Sequence, residues 1–299
     1  MKRNHLLNLT EYWAFRFVLF KFRLLPYRWS NLALQRLFLW LGYGLGIRRD
    51  VAEKQLRRVY PDQEPHERRE LLRKIYRNLG MTAAEIYLQD ESKLIATAQI
   101  SGRSHVDKAF SLGRGAILAT AHFGNWELAR ILPSLGIPLS VVVKKQHNPL
   151  FDNYNNAIRT RHGVSLIDFR RGLRDILAHL AKNEMVAILM DQDAGASGLR
   201  LDFLGSPASH WRGVAKLSLR YKIPIVPGLA LRTPEGGVKF CFEPMLYHPE
   251  LEDKEENYAY ILNKVNAVLE AYIDRYPEQW FWVHKRWKKS SVSQLEAGI

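Results

Sequence analysis

Between residues 116 and 242 the chain alternates short apolar runs with longer helical patterns, and this alternation restricts the fold more than any other feature. Strand-like runs occupy 116–121, 139–143, 164–167, 186–190 and 225–231, with another at 238–242 behind a Thr-Pro-Glu-Gly-Gly turn. Helical periodicities fill the intervals at 126–135, 148–161, 172–182 and 212–221. Strands separated by helices of about ten to fifteen residues build βαβ units. The expected fold is therefore α/β, with a mostly parallel central sheet flanked by helices. The 238–242 run follows a short turn, so it is expected to be antiparallel and at an edge. A last helix is expected at 255–276.

The first third reads as helical, with patterns at 10–25, 30–47, 48–59 and 67–88. Pro26 breaks the first pair, and Gly42, Gly44 and Gly46 close it. That glycine series is no dinucleotide fingerprint, because no strand precedes it and the spacing differs. Residues 1–80 carry 17 Lys/Arg against 7 Asp/Glu, so most of the net charge of +14 lies there. Such a surplus favours an acidic partner: nucleic acid, an anionic membrane or an acidic protein. Within residues 1–80 the longest uncharged stretch, 37–47, is far shorter than the roughly 20 residues that span hydrocarbon, and Arg16, Lys21 and Arg23 interrupt the earlier apolar run. No small-residue cleavage site follows, so a signal peptide is not expected. Basic residues interleaved with Trp, Phe, Tyr and Leu suit a segment lying in a membrane interface; the other reading is a basic amphipathic helix packed on its own domain. Two regions are expected, membrane-interface helices over 1–47 and a catalytic domain over 48–299. The single cysteine, Cys241, excludes an intrachain disulfide and a cysteine-based zinc site.

The sharpest chemical feature is HFGNWE at 122–127. On one continuous helix His122 and Glu127 would stand about 140° apart, but Gly124 lets the chain bend. Asn125 is a good N-cap, and Glu127 falls in the first helical turn, where the helix dipole favours its charged form. A carboxylate there can accept the Nδ1 proton of His122 and leave Nε2 as an oriented base. The alternative is a histidine satisfied at a strand end and a glutamate that starts its helix.

Asp191, Gln192 and Asp193 follow the 186–190 strand as His122 follows the 116–121 strand, so both clusters point to one rim of the sheet. Two aspartates at this spacing can hold a divalent cation, as in a metal-dependent glycosyltransferase, or can cap loop amides. Arg159 and Arg161, near a helix end, can grip a phosphate or favour the helix C-terminus. Trp280, Trp282, His284, Arg286 and Trp287 can stack bases, bind a membrane interface or fill a core edge. Nucleic-acid recognition motifs are missing, and no nucleic-acid partner is expected.

In order along the chain, HFGNWE, QHNPLFD, IRTRHG, DQDAG, FLGSPA and PEQWFWVHKRWK resemble the late acyltransferases of lipid A biosynthesis, the lauroyl and myristoyl transferases of the lysophospholipid acyltransferase superfamily. RRDVAEKQLRRVYPD resembles the segment after their membrane anchor, and the likeness covers roughly 48–290. It implies a glycerol-phosphate-acyltransferase-like fold and transfer of a fatty acyl chain to a hydroxyl of a phosphorylated glycolipid, most simply a lipid A precursor. The donor is an acyl thioester of acyl carrier protein or coenzyme A, a co-substrate; no cofactor or metal is implied. His122 would deprotonate the hydroxyl and Glu127 would orient it, with no acyl-enzyme. Arg159 would hold a phosphate or acyl-donor group, and Asn125, Arg161, Asp191, Gln192 and Asp193 are the further substrate-binding candidates. The expected location is the cytoplasmic face of the bacterial inner membrane, peripheral or monotopic, since Arg16, Lys21 and Arg23 break what is often a plain spanning helix. Relatives that acylate mannosylated phosphoinositides share these blocks, so another lipid acceptor, including a lysophospholipid, is the alternative.

Overall fold

A computed structural model describes residues 5–168 and 172–288; the end of the region expected over 48–299 lies outside them. The strands are β1 (Gln99–Ser101), β2 (Ala116–Thr120), β3 (Leu139–Val143), β4 (Ser165–Asp168), β5 (Met185–Leu189), β6 (Leu199–Phe203), β7 (Ser206–His210), β8 (Ile225–Arg232) and β9 (Val238–Phe242). The helices are α1 (His5–Arg23), α2 (Tyr27–Leu39), α3 (Arg49–Val59), α4 (Pro65–Tyr87), α5 (Glu91–Thr97), α6 (Arg103–Phe110), α7 (Pro149–Thr160), α8 (Gly172–Leu180), α9 (Gly213–Tyr221) and α10 (Glu255–Arg275). Seven strands form one sheet in the order β1-β9-β8-β2-β5-β3-β4, and β6 and β7 make a separate hairpin.

All pairings in the large sheet are parallel except β8 with β9. The six expected strands all form. The 238–242 strand is antiparallel to β8 as expected, but it is not an edge, because β1 pairs along its outer side. A three-residue strand such as β1 is too short to leave a periodic signal. Every residue of β2 is buried, which is what a strand covered on both faces requires. Ile117 and Ala119 pack with Val214 of α9 and Leu262 of α10, whereas Ala116 and Leu118 pack with Leu94, Val106 and Leu132 on the other face.

The 126–135 segment is a 3-10 helix, not the α-helix its pattern suggested. Pro133 sits inside it and has no N–H for an α-helical bond. Upstream, α2 lies along α4 at Gly80, where an added Cβ would stand 2.6 Å from the Gln35 Cα. α1 meets α7 through aromatic rings, with Phe15 against Phe151 and the Arg16 guanidinium over the Tyr154 ring. Trp13, Phe17, Phe20, Leu24, Trp29 and Trp40 are nonetheless more than half exposed. Among the described residues no helix is long and apolar enough to cross a membrane.

Candidate active site

Strand register builds the centre of the site. β2 and β5 are parallel neighbours with Thr120 opposite Leu189, so the residues two positions further on, His122 and Asp191, meet at the C-terminal rim. His122 Nδ1 lies 2.9 Å from Asp191 Oδ1, and the His122 backbone N–H donates to Asp191 Oδ2 at 3.0 Å. Trp280 Nε1–H also donates to Oδ2 at 2.9 Å. Three donors thus fix this buried carboxylate, and it in turn fixes the imidazole. With the Nδ1–H of His122 donated to Asp191, Nε2 carries the lone pair. The Gln192 side-chain nitrogen lies 3.3 Å from it.

The expected orienting partner, Glu127, is corrected by this geometry. Its carboxylate is engaged by Arg159, with Nε to Oε2 at 2.8 Å and Nη2 to Oε1 at 2.5 Å. A planar guanidinium matches a carboxylate in this bidentate way, and in this structure Arg159 pairs with Glu127 while lining the cavity. The 3-10 helix supplies the geometric reason, since it places Glu127 beside α7, where Arg159 stands. Asp191 likewise accepts hydrogen bonds from His122 and Trp280 and stands behind the base, outside the cavity lining.

Burial lowers the His122 pKa, but the Asp191 charge, its hydrogen bond and the Glu127 charge outweigh that, and the net shift is upward. Burial likewise opposes ionisation of Asp191, and the facing His122 with the Trp280 bond holds its pKa below the usual carboxylate range. The pair is thus arranged to accept a proton on His122 and stabilise the resulting imidazolium.

Two further candidates lie elsewhere. Asn125 occupies the N-cap position but makes no capping bond; its amide donates to Glu85 Oε2 at 2.8 Å beneath the turn, and it is buried. Glu85 also takes a bidentate pair from Arg232, at 2.6 and 2.8 Å, so this network anchors the turn to α4 and β8. Arg161 is half exposed and pairs with Glu91 at 3.4 Å. Gly124 has the role its sequence suggested: its φ is +57°, and an added Cβ would stand 2.0 Å from the Ala230 oxygen.

The C-terminal segment closes the site. Gly124 N–H donates to the Gln279 carbonyl and Phe281 N–H to that of His122. Phe281 stacks beside the imidazole with centroids 5.8 Å apart, and Trp126 meets it edge-on at 4.9 Å. Arg286 is fully buried, and its Nη1 donates to the Gln192 and Ser209 carbonyls, tying the loop after β5 to β7. Burial pushes its pKa down to about 10, against the charges of Asp191 and Asp193. The aromatic cluster therefore builds the core edge behind the base. Trp280 and Arg286 were visible only as members of that cluster, because nothing local tied them to Asp191.

A cavity of about 1240 Å³ opens at this rim, lined by His122, Trp126, Glu127, Arg159, Gln192, Asp193 and Phe281. Inside, Leu118, Ala187 and Ala230 line it on one face of the sheet and Ile188, Met190 and Leu229 on the other. Alternation puts these on opposite faces, so the cavity wraps the rim, with His122 among its lining residues. Asn125, Arg161 and Asp191 are not part of the lining.

A histidine held by a buried aspartate, at the mouth of an apolar cavity on a parallel sheet, is the architecture of a lipid-handling α/β enzyme. The chain matches the bacterial lipid A biosynthesis acyltransferase family over residues 1–289 and belongs to it, and it is an acyltransferase. It is 25% identical over 285 residues to a lipid A biosynthesis acyltransferase of Haemophilus influenzae, covering 91% of this chain and 87% of that one. It is 26% identical over 256 residues to the lipid A biosynthesis palmitoleoyltransferase of Escherichia coli, covering 83% and 81%. Among solved structures it is similar to the 1-acyl-sn-glycerophosphate acyltransferase of Thermotoga maritima, at 14% identity and a TM-score of 0.39, over 81% of this chain and 97% of that one.

Proposed function

We propose that the protein moves a fatty acyl chain from an acyl thioester to a hydroxyl of a phosphorylated lipid A precursor, with His122 as general base. The carrying observation is the His122–Asp191 pair, which turns Nε2 toward the cavity. His122 Nε2 takes the proton of the acceptor hydroxyl, and the oxygen attacks the thioester carbonyl carbon. As the tetrahedral intermediate collapses, the C–S bond breaks and the sulfur takes the proton back from the imidazolium. A base so placed contributes about 10² to 10⁴ in rate. The acceptor oxygen occupies the position beside Nε2 that the Gln192 amide now covers.

Glu127 keeps Arg159 at the mouth and adds negative charge that favours the imidazolium. The donor is carried by acyl carrier protein or coenzyme A, both acidic, in keeping with the net charge of +14. Exposed Trp13, Phe17, Trp29 and Trp40, with Arg16, Lys21 and Arg28 among them, support attachment to one anionic leaflet, the cytoplasmic face of the bacterial inner membrane. Mass spectrometry of membrane glycolipids with and without the gene tests the reading. A lipid A species lighter by one acyl unit without the gene is expected; glycolipids of unchanged mass would contradict it.

A further inference from the structure

In the wall of the same cavity, Asp193 has its side chain buried without a hydrogen bond. Its side chain is 1% exposed, it lines the cavity, and neither Oδ1 nor Oδ2 accepts a hydrogen bond from the described residues. The Lys288 ammonium stands 3.5 Å from Oδ2, longer than the roughly 2.7–2.9 Å of a charge-assisted bond. Asp191, two residues earlier, takes three. A desolvated carboxylate with idle lone pairs is costly, and this one cannot swing away easily. Arg286 lies over the Phe203 ring and pins the preceding residue through the Gln192 carbonyl, which holds the loop in place.

We propose that Asp193 orients the acceptor, accepting a hydrogen bond from a second sugar hydroxyl beside the hydroxyl that His122 deprotonates. This rests on the acyl-transfer reading above. Position supports it: Asp193 adjoins Gln192, whose amide covers Nε2. The loop continues through Ala194 and Ser197 along the same cavity toward Lys216 and Arg220 of α9, cations suited to the phosphate of a glycolipid. The acyl group of the donor offers no hydrogen-bond donor near its carbonyl. Amide N–H groups do lie further along a pantetheine arm, so donor and acceptor must be varied separately.

The test is steady-state transfer by the full chain in phospholipid vesicles, with acyl-carrier-protein thioester as donor and a phosphorylated lipid A precursor as acceptor. Asp193→Asn and Asp193→Ser are expected to raise the acceptor KM about ten- to hundredfold, with the donor KM and the pH profile unchanged. A precursor methylated at the hydroxyls other than the accepting one should lose the same factor with the wild-type chain, and no further factor with Asp193→Asn. The methylated precursor with the wild-type chain needs no folded variant: an unchanged acceptor KM there would overturn the proposal by itself. An unchanged acceptor KM, a raised donor KM, or a fall in kcat with both KM values unchanged would each overturn the proposal. A wild-type chain that transfers nothing would instead refute the acyl-transfer reading itself.

Discussion

Replacing Asp191 by Asn keeps the shape at the rim and removes the charge that faces His122. Three donors converge on this carboxylate, at 2.9, 3.0 and 2.9 Å. An amide offers one oxygen where two were used, so one N–H must meet an NH₂ group. A hydrogen bond to a charged group contributes about 1.5–3 kcal/mol. Opposite unit charges at about 4 Å attract by about 4 kcal/mol at the effective dielectric of a partly buried site. These effects overlap, and about 3–5 kcal/mol is a fair bound on the stabilisation lost by the imidazolium, or about 10² to 10⁴ in kcat at 1.36 kcal/mol per tenfold. The sign of the pH effect follows too. His122 must be neutral to act, and its pKa is raised, so activity falls as pH drops through that raised value. Without the Asp191 charge, burial dominates and lowers the pKa, moving the acid limb of the rate profile to lower pH. The assay is kcat against pH with saturating thioester and glycolipid, with circular dichroism to confirm folding. A loss under threefold, or an acid limb that shifts in Glu127→Gln and not in Asp191→Asn, would refute the assignment and restore Glu127 as the orienting group.

Two other perturbations test the surroundings. Glu85→Ala leaves the nearly buried Arg232 guanidinium without its carboxylate and Asn125 without its acceptor; a loss of about 3–5 kcal/mol is expected in denaturant unfolding, and a loss under about 1 kcal/mol would contradict this. Replacing exposed Trp13, Phe17 and Trp29 together by Ser should weaken sedimentation with anionic vesicles by more than about a hundredfold, since each such side chain contributes about 1.5–3 kcal/mol when buried; undiminished binding would remove these helices as the membrane contact.

Most of the sheet was legible because its strands, of which β2 is fully buried, read as apolar runs bounded by turns. The rim was legible as well: His122 and the Asp191–Asp193 loop follow two such strands, and parallel strands end on the same side. Hidden was the register between β2 and β5, which sets Thr120 against Leu189 and hence His122 against Asp191. Strand pairing is a long-range property, and nothing near either residue encodes it. Proximity along the chain made Glu127 the natural partner, but the 3-10 geometry of 126–135 carries its carboxylate to Arg159. Arg159 itself was visible as a cation near a helix end, and only the fold shows that the Glu127 carboxylate pairs with its fork. Trp280 and Arg286 act across long separations, at 89 residues from Asp191 and 94 from Gln192, distances at which periodicity carries no information.

The most direct test of the central claim is acyl transfer by His122→Ala, with the wild-type chain alongside, using purified thioester and lipid A precursor in vesicles. The substitution removes the base and leaves Asp191 bonded to Trp280 and to the backbone N–H of residue 122, so the fold should hold. A general-base contribution predicts that kcat falls by about 10² or more with thermal unfolding little changed. Retention of more than about a tenth of the wild-type rate would contradict that role for His122.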